Sequence, residues 1–237
     1  MSKTLALIGS GMIGGGLAHL AVRAGLEVVV SNSRGPESLS GLLSELGPRA
    51  RAATPEVAAR EGDLVVASIP LKNFEQLPAA ALAGKTVLDT MNYYPDRDGR
   101  VGALDRGETT SSEMVQRHLS GAHVVKAVNN IDWRRLTTSA RPSGASDRSA
   151  LPIAGDDTAA KREAAELLDL LGYDTVDLGP LSESWRSQPD TPAYVFCYAG
   201  AQPAGLTPEE ARRWFVEEPG VAVPADRMKE LLAAAVR

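Results

Sequence analysis

Cysteine is all but missing: Cys197 is the only one in 237 residues. An internal disulfide is therefore impossible, and the composition fits a reducing compartment. No base flanks Cys197 in sequence to activate it as a nucleophile. Histidine is scarce too. His19, His118 and His123 contain no pair at metal-ligand spacing, which argues against a metal site. No apolar run reaches membrane-spanning length, and the first strand starts too early to leave room for a signal peptide. The net charge of −5 argues against nucleic acid or an anionic membrane as partner. A cytoplasmic globular protein is expected.

Glycine, by contrast, is concentrated where it carries information. An apolar run, Leu5–Ile8, ends in Gly9-Ser10-Gly11-Met12-Ile13-Gly14, a Gly-x-Gly-x-x-Gly. A helical Ala/Leu-rich segment follows to Ala24, and a second apolar run, Val28–Val30, ends in Ser31-Asn32-Ser33-Arg34. Strand, glycine turn, helix and strand in that order form the dinucleotide-binding context. Gly9 permits the tight turn, Gly11 lets backbone approach a pyrophosphate, and Gly14 lets the helix pack on the strand. The helix start then offers free N–H groups to the phosphates. The end of the second strand selects the nucleotide. NAD sites place a carboxylate there, and none occurs between Val28 and Gly35. Ser31, Asn32 and Ser33 offer neutral hydrogen-bonding groups, and Arg34 offers a planar fork suited to a 2′-phosphate. NADP(H) is expected.

Further apolar runs follow at 63–68, 85–92, 123–128, 151–155 and 174–178, with helical stretches between them. Thr54-Pro55 and the Thr110-Ser111-Ser112-Glu113 capping box open two of these helices, and Asp156 or Asp157 opens another that stops at Gly172. Buried strands alternating with helices predict an α/β fold, a doubly wound parallel sheet of Rossmann type with a smaller C-terminal helical extension. The expected division is a nucleotide-binding domain over 1–130 and a smaller α/β region over 131–237 that completes the acceptor site. Ligands lie beyond the carboxyl ends of such strands. Gly9–Gly14, Ser31–Arg34, Ser68–Lys72, Met91–Pro95 and Asn129–Ile131 are thus the places to search. The polar segment 137–150 has neither period and reads as an ordered excursion or a mobile flap.

Taken together, GSGMIGGGLA, the Ser33-Arg34 pair, IAGDDTAAK (153–161) and DLGPLSES (177–184) resemble the NADP-dependent oxidoreductases of coenzyme F420, a deazaflavin hydride carrier. The resemblance spans roughly 4–185. It implies direct hydride transfer between NADPH and a deazaflavin or flavin-like acceptor, with positioning as the main catalytic effect. It further implies that Gly9, Ser10, Gly11, Met12 and Ile13 cradle the pyrophosphate and that Ser33 and Arg34 take the 2′-phosphate. Ile69, Pro70 and Leu71 would border the adenine side and ribose, Asn129 and Ile131 the nicotinamide, and Gly179, Pro180, Leu181 and Ser182 the second ring. A homodimer is expected on the same ground. The chain departs from the family at Asn129-Asn130, where the reductases carry a histidine, and around Asn92, Tyr93 and Tyr94.

Other residues keep two readings. Asn92 joins the nucleotide set through its place at a strand end. Asn129 and Asn130 suit either the nicotinamide carboxamide or a turn tolerant of left-handed backbone. Tyr93 and Tyr94 suit ring stacking, proton donation or half-buried packing. Trp185 and Arg186 suit an acceptor wall, with Arg186 facing an anionic substrate, or plain core. Lys126, inside a strand, needs a partner, and a structural ion pair is favoured over catalysis. Two other functions remain open: an NADPH-dependent reductase of a small carbonyl or imine, and a non-catalytic NADP(H)-binding sensor or partner protein.

Overall fold

The computed structural model describes residues 3–237. Eight strands form one sheet: β1 (Thr4–Ile8), β2 (Glu27–Ser31), β3 (Ala50–Ala52), β4 (Leu64–Ala67), β5 (Thr86–Asp89), β6 (His123–Lys126), β7 (Ala150–Gly155) and β8 (Asp174–Asp177). Their order is β3-β2-β1-β4-β5-β6-β7-β8. The helices are α1 (Met12–Arg23), α2 (Ser40–Leu46), α3 (Pro55–Glu61), α4 (Ala79–Leu82), α5 (Pro95–Asp98), α6 (Gly102–Asp105), α7 (Ser111–His118), α8 (Trp133–Thr138), α9 (Thr158–Leu171), α10 (Pro208–Glu217) and α11 (Ala225–Ala233).

Because side chains alternate along a strand, each central strand feeds two cores. Leu5, Leu7, Val28, Val30, Val66, Leu88 and Val125 pack under α1, α2, α9 and α11. Ala6, Ile8, Val29, Val65, Val87 and Val124 pack under α3, α4 and α7 on the opposite face. The expected caps are in place. Thr54 accepts from the Val57 N–H, Thr110 and Glu113 close a capping box, and Asp157 accepts from the Ala160 N–H. Gly172 ends α9 with φ 105°.

Two features differ from the expected parallel sheet. β3 is a three-residue edge strand, too short to carry a period. β7 runs antiparallel to β6 and β8 parallel to β7, so the last two strands point against the other six. Hydropathy reports burial and has no sign for direction. The 137–150 segment is the ordered excursion rather than the flap. Arg148, 3% exposed, holds it by donating to the Tyr173 and Asp169 carbonyls, both at 2.8 Å, and to the Asp169 carboxylate at 2.7 Å.

Two buried phenols brace this half. Tyr173 donates to the Leu136 carbonyl at 2.7 Å and Tyr198 to that of Ala150 at 3.0 Å. Burial pushes both well above their ordinary value of 10.0. Above about pH 10 the unfolded chain ionises while these native phenols keep their protons, so stability falls as pH rises through that range. Urea midpoints are expected to hold level at neutral pH and drop above about pH 10. A flat profile there would show that the native phenols ionise as freely as the unfolded ones.

Candidate active site

β1 delivers the chain to Gly9, whose φ of 106° and N–H bond to the Ser31 carbonyl at 3.0 Å turn it sharply into α1. A Cβ on Gly9 would stand 2.1 Å from the Ser68 carbonyl oxygen, and one on Gly14 2.0 Å from that of Gly9. Neither position tolerates a side chain without backbone movement. Gly11 is different in kind: a Cβ there meets no atom within 4 Å. It faces a cleft of about 680 Å³. α1 begins at that mouth with no side-chain cap and no acid in its first turn. Its first N–H groups and the positive end of its dipole stand open to an anion.

The cleft crosses the carboxyl ends of β1, β4, β5 and β6. It gathers Gly11, Met12, Ile13, Ile69, Pro70, Asn92, Tyr94, Asn129 and Ile131 from the expected set. Asn92 and Asn129 form its floor and bind each other. Asn92 Nδ2 donates to the Asn129 carbonyl at 2.7 Å, and Asn129 Nδ2 donates to Asn92 Oδ1 at 3.1 Å and to the Ser187 carbonyl at 2.8 Å. Below them lies a buried ion pair, Lys126 Nζ to Asp89 Oδ2 at 3.3 Å, so Lys126 has the structural partner its place in a strand demands. Burial pushes the Lys126 ammonium down, and Asp89 pushes back.

Several expected residues are placed elsewhere. Ser31 is fully buried and donates to the Leu7 carbonyl at 2.9 Å, bracing β1 and β2. Ser10 Oγ is turned the same way, onto the Ser31 carbonyl at 2.7 Å. Asn32 folds its own turn, accepting from the Arg34 N–H at 2.9 Å and donating to Ser38 at 2.9 Å. Ser33 and Arg34 are exposed, and Arg34 enters no ion pair with any described residue. Leu71 is core, 2% exposed. Tyr93 faces away from the cleft: its hydroxyl donates to Asp105 at 2.9 Å and accepts the Val101 N–H at 2.8 Å.

Gly179, Pro180, Leu181, Ser182, Trp185 and Arg186 do not line the cleft. The reason is the reversal of β8, whose carboxyl end points away from the ends of β1, β4, β5 and β6. Leu181 is buried, with its carbonyl accepting from Thr110 at 3.1 Å. Trp185 lies against the guanidinium groups of Arg186 and Arg237, at 4.5 and 5.7 Å from its ring centre. Arg186 is paired with Glu183 at 2.7 Å, so it is not free to meet an anionic substrate. The returning segment reaches the floor only at Ser187.

The far wall comes instead from Trp133, Tyr194, Val195, Phe196 and Phe215. α8 starts with Asp132 accepting from the Arg134 and Arg135 N–H groups, a cap visible in the sequence as Asp before an apolar-basic run. Arg135, 1% exposed, then donates to the Phe215 and Glu218 carbonyls at 3.0 and 3.1 Å. That clamp holds Phe215 edge-on to Phe196, with centroids 5.3 Å apart. Val128 and Val195, both lining the cleft, have φ of 57° and 48°. Left-handed backbone at a β-branched residue costs about 1–3 kcal/mol and gathers at functional sites. The left-handed turn foreseen at Asn129-Asn130 thus lies one residue earlier. Among the described residues no three His, Cys, Asp or Glu stand together as a metal site, and no helix is long and apolar enough to cross a membrane.

Comparison with known proteins agrees with this geometry. Residues 4–93 match the family model described as "NADP oxidoreductase coenzyme F420-dependent". The hypothetical protein SMa0349 of Sinorhizobium meliloti is 30% identical, with a TM-score of 0.70 over 82% of this chain and 93% of that one. An Arthrobacter sp. FB24 protein described as an F420-dependent NADP-reductase is 28% identical, with a TM-score of 0.66 over 77% and 87%. Protein YjhV of Escherichia coli K12 is 43% identical over 64 residues, which is 27% of this chain and 43% of YjhV. The match over β1 to β5 and the likeness along nearly the whole of SMa0349 lead to one assignment: the chain belongs to the Rossmann-type oxidoreductase family described as NADP oxidoreductase, coenzyme F420-dependent.

Proposed function

We propose that the protein binds NADPH and passes its hydride to a flavin-like ring, with the deazaflavin coenzyme F420 as the first acceptor to test. The observation that carries this reading is the uncapped start of α1 at Gly11 opening into the same cleft as the aromatic wall. Open N–H groups and a glycine with empty space before it fit a pyrophosphate. Bound NADPH supplies a hydride. The rest is the work of this chain. α1 holds the pyrophosphate, Ser33 and Arg34 the 2′-phosphate, and Ile69 and Pro70 border the ribose. Asn92 and Asn129, bonded to each other, keep the floor beneath the nicotinamide rigid. Residues 1–130 thereby hold the nucleotide, and 131–237 add the acceptor wall through Trp133, Phe196 and Phe215. Passing hydride between two stacked rings needs orientation and exclusion of water more than a side-chain acid.

The test is anaerobic mixing with NADPH and oxidised F420, following loss of the deazaflavin's visible absorbance, with FMN, FAD and NADH as comparison arms. Bleaching with NADPH alone as donor is expected. Tight NADPH binding without bleaching would move the search to other acceptors. Arg34→Ala separates the nucleotide assignment from the acceptor. Losing a charge-assisted bond of about 1.5–3 kcal/mol should weaken NADPH about 10- to 100-fold, while NADH binding stays as it was. Equal losses for both nucleotides would make Arg34 a structural residue of the turn.

A further inference from the structure

The acceptor half of the cleft holds a group that ring-to-ring hydride transfer does not use. Tyr94 follows β5, Tyr194 lies a hundred positions later, and their hydroxyls are hydrogen-bonded to each other. Each hydroxyl has one hydrogen to give. When one donates to the other, the second O–H is left with no partner among the described residues, and both side chains line the cleft. Donation within the pair also polarises that remaining O–H, since linked hydrogen bonds reinforce one another. The Arg97 guanidinium lies over the Tyr94 ring at 4.7 Å, and its charge favours negative charge developing on the Tyr194 phenol beside it. Arg97 is itself held: its Nε and Nη2 grip the Asp98 carboxylate at 2.9 and 2.8 Å, and Nη2 also donates to the Asn92 carbonyl at 2.7 Å.

From this arrangement we infer that the Tyr94–Tyr194 pair is a proton donor, and that the site also reduces neutral carbonyl compounds to alcohols. The inference rests on the NADPH reading above. Reduction adds hydride from bound NADPH to the carbonyl carbon and moves the C=O π pair to oxygen. The unpartnered tyrosine O–H gives its proton to that oxygen. The partner phenol then shares the charge beside Arg97 until water at the cleft mouth restores the proton. NADP⁺ and the alcohol leave. An alkoxide is too basic to form free in an apolar cleft, so this chemistry needs a placed acid, worth about 10²–10⁴-fold. Burial pushes the Tyr194 phenol up, with the bond to Tyr94 adding to the shift, so it is protonated at neutral pH.

Charge narrows the substrate further. The cleft's charged residues are Arg97, paired with Asp98, and Asp132, paired with Arg135 at 2.9 Å. No unpaired cation lines the cleft to meet a carboxylate, and its lining includes the large apolar side chains of Met12, Trp133, Phe196 and Phe215. Neutral, largely apolar ketones and aldehydes fit; keto acids do not.

The experiment measures NADPH oxidation and alcohol formation with cyclohexanone, benzaldehyde and pyruvate. In parallel, NADPH affinity is followed by nucleotide fluorescence, and binding of benzamide, an unreactive carbonyl mimic, to the NADP⁺ complex by calorimetry. Wild type is expected to reduce cyclohexanone and benzaldehyde, to leave pyruvate untouched, and to turn over more slowly in D₂O. Tyr94→Phe and Tyr194→Phe are each expected to lower kcat about 100-fold or more, to abolish the D₂O effect and to weaken benzamide at least tenfold, with NADPH affinity unchanged. NADPH binding without any alcohol, or benzamide bound equally by wild type and both variants, would overturn the proton-donor assignment alone. Loss of NADPH affinity in the Phe variants would make the pair a structural clasp. Failure of wild type to bind NADPH would remove the nucleotide reading, and this inference with it.

Discussion

Gly11→Asp should lose NADPH binding by about 100-fold or more while unfolding at the wild-type temperature or slightly above it. The backbone at Gly11 has φ −75° and ψ −163°, which any residue adopts, and a Cβ there touches nothing. The position is the N-cap of α1, and aspartate is among the best N-caps, better than glycine by about a few tenths of a kcal/mol. The carboxylate that stabilises the helix start takes the same N–H groups that a pyrophosphate would use, and repels the phosphates. Gly14→Ala is the opposite case. Its Cβ would overlap the Gly9 carbonyl oxygen at 2.0 Å, so α1 must shift from β1 at a cost of about 1–3 kcal/mol or more. For a chain of this size each kcal/mol lowers the melting temperature by about 2–4 °C. Calorimetry and fluorescence titration of the two variants therefore separate the two jobs of the glycine motif. If Gly11→Asp bound NADPH normally, the phosphates would have to lie away from α1.

That separation was only half legible beforehand. Which glycines pack and which one faces a ligand follows from spacing, because strand, turn and helix are local. The two-face burial of the sheet was legible for the same reason, since Leu5, Leu7 and Ala6, Ile8 alternate in an unbroken apolar run. The acceptor side was not. Its placement was expected beyond the end of β8, and β8 is reversed, a property set by the antiparallel pairing of β7 with β6 and the parallel pairing of β8 with β7. Tyr194 reaches Tyr94 across a hundred residues, and Phe215 is brought to the cleft by Arg135, which the sequence shows only as one of several arginines. Ser31 looked like a ligand group because it ends a strand. Its Oγ instead satisfies a strand carbonyl inside the sheet, which no pattern of residue types distinguishes from one aimed outward.

Lys126→Met should cost about 3–5 kcal/mol and take most nucleotide affinity with it, although Lys126 does not line the cleft. Its ammonium is 2% exposed and Asp89 fully buried. Asp89 is held at three points: by Lys126, by Ser112 Oγ at 2.7 Å and by the Met91 N–H at 2.8 Å. Lys126 in turn donates to the Met91 carbonyl. Met91 is the residue before Asn92, so the ion pair fixes where the floor of the cleft begins. Removing the lysine leaves a buried carboxylate with two of its three partners, and the chain must either protonate it or admit water at Met91. The double variant Lys126→Met/Asp89→Asn removes the charge along with its partner, and isosteric neutral groups in place of a buried pair are often tolerated with little loss. The double variant is therefore expected to be more stable than Lys126→Met alone, a coupling measured by urea denaturation of all four proteins in the cycle. Losses that simply add would mean Asp89 is already satisfied by Ser112 and Met91, and that Lys126 holds the floor through the Met91 carbonyl alone.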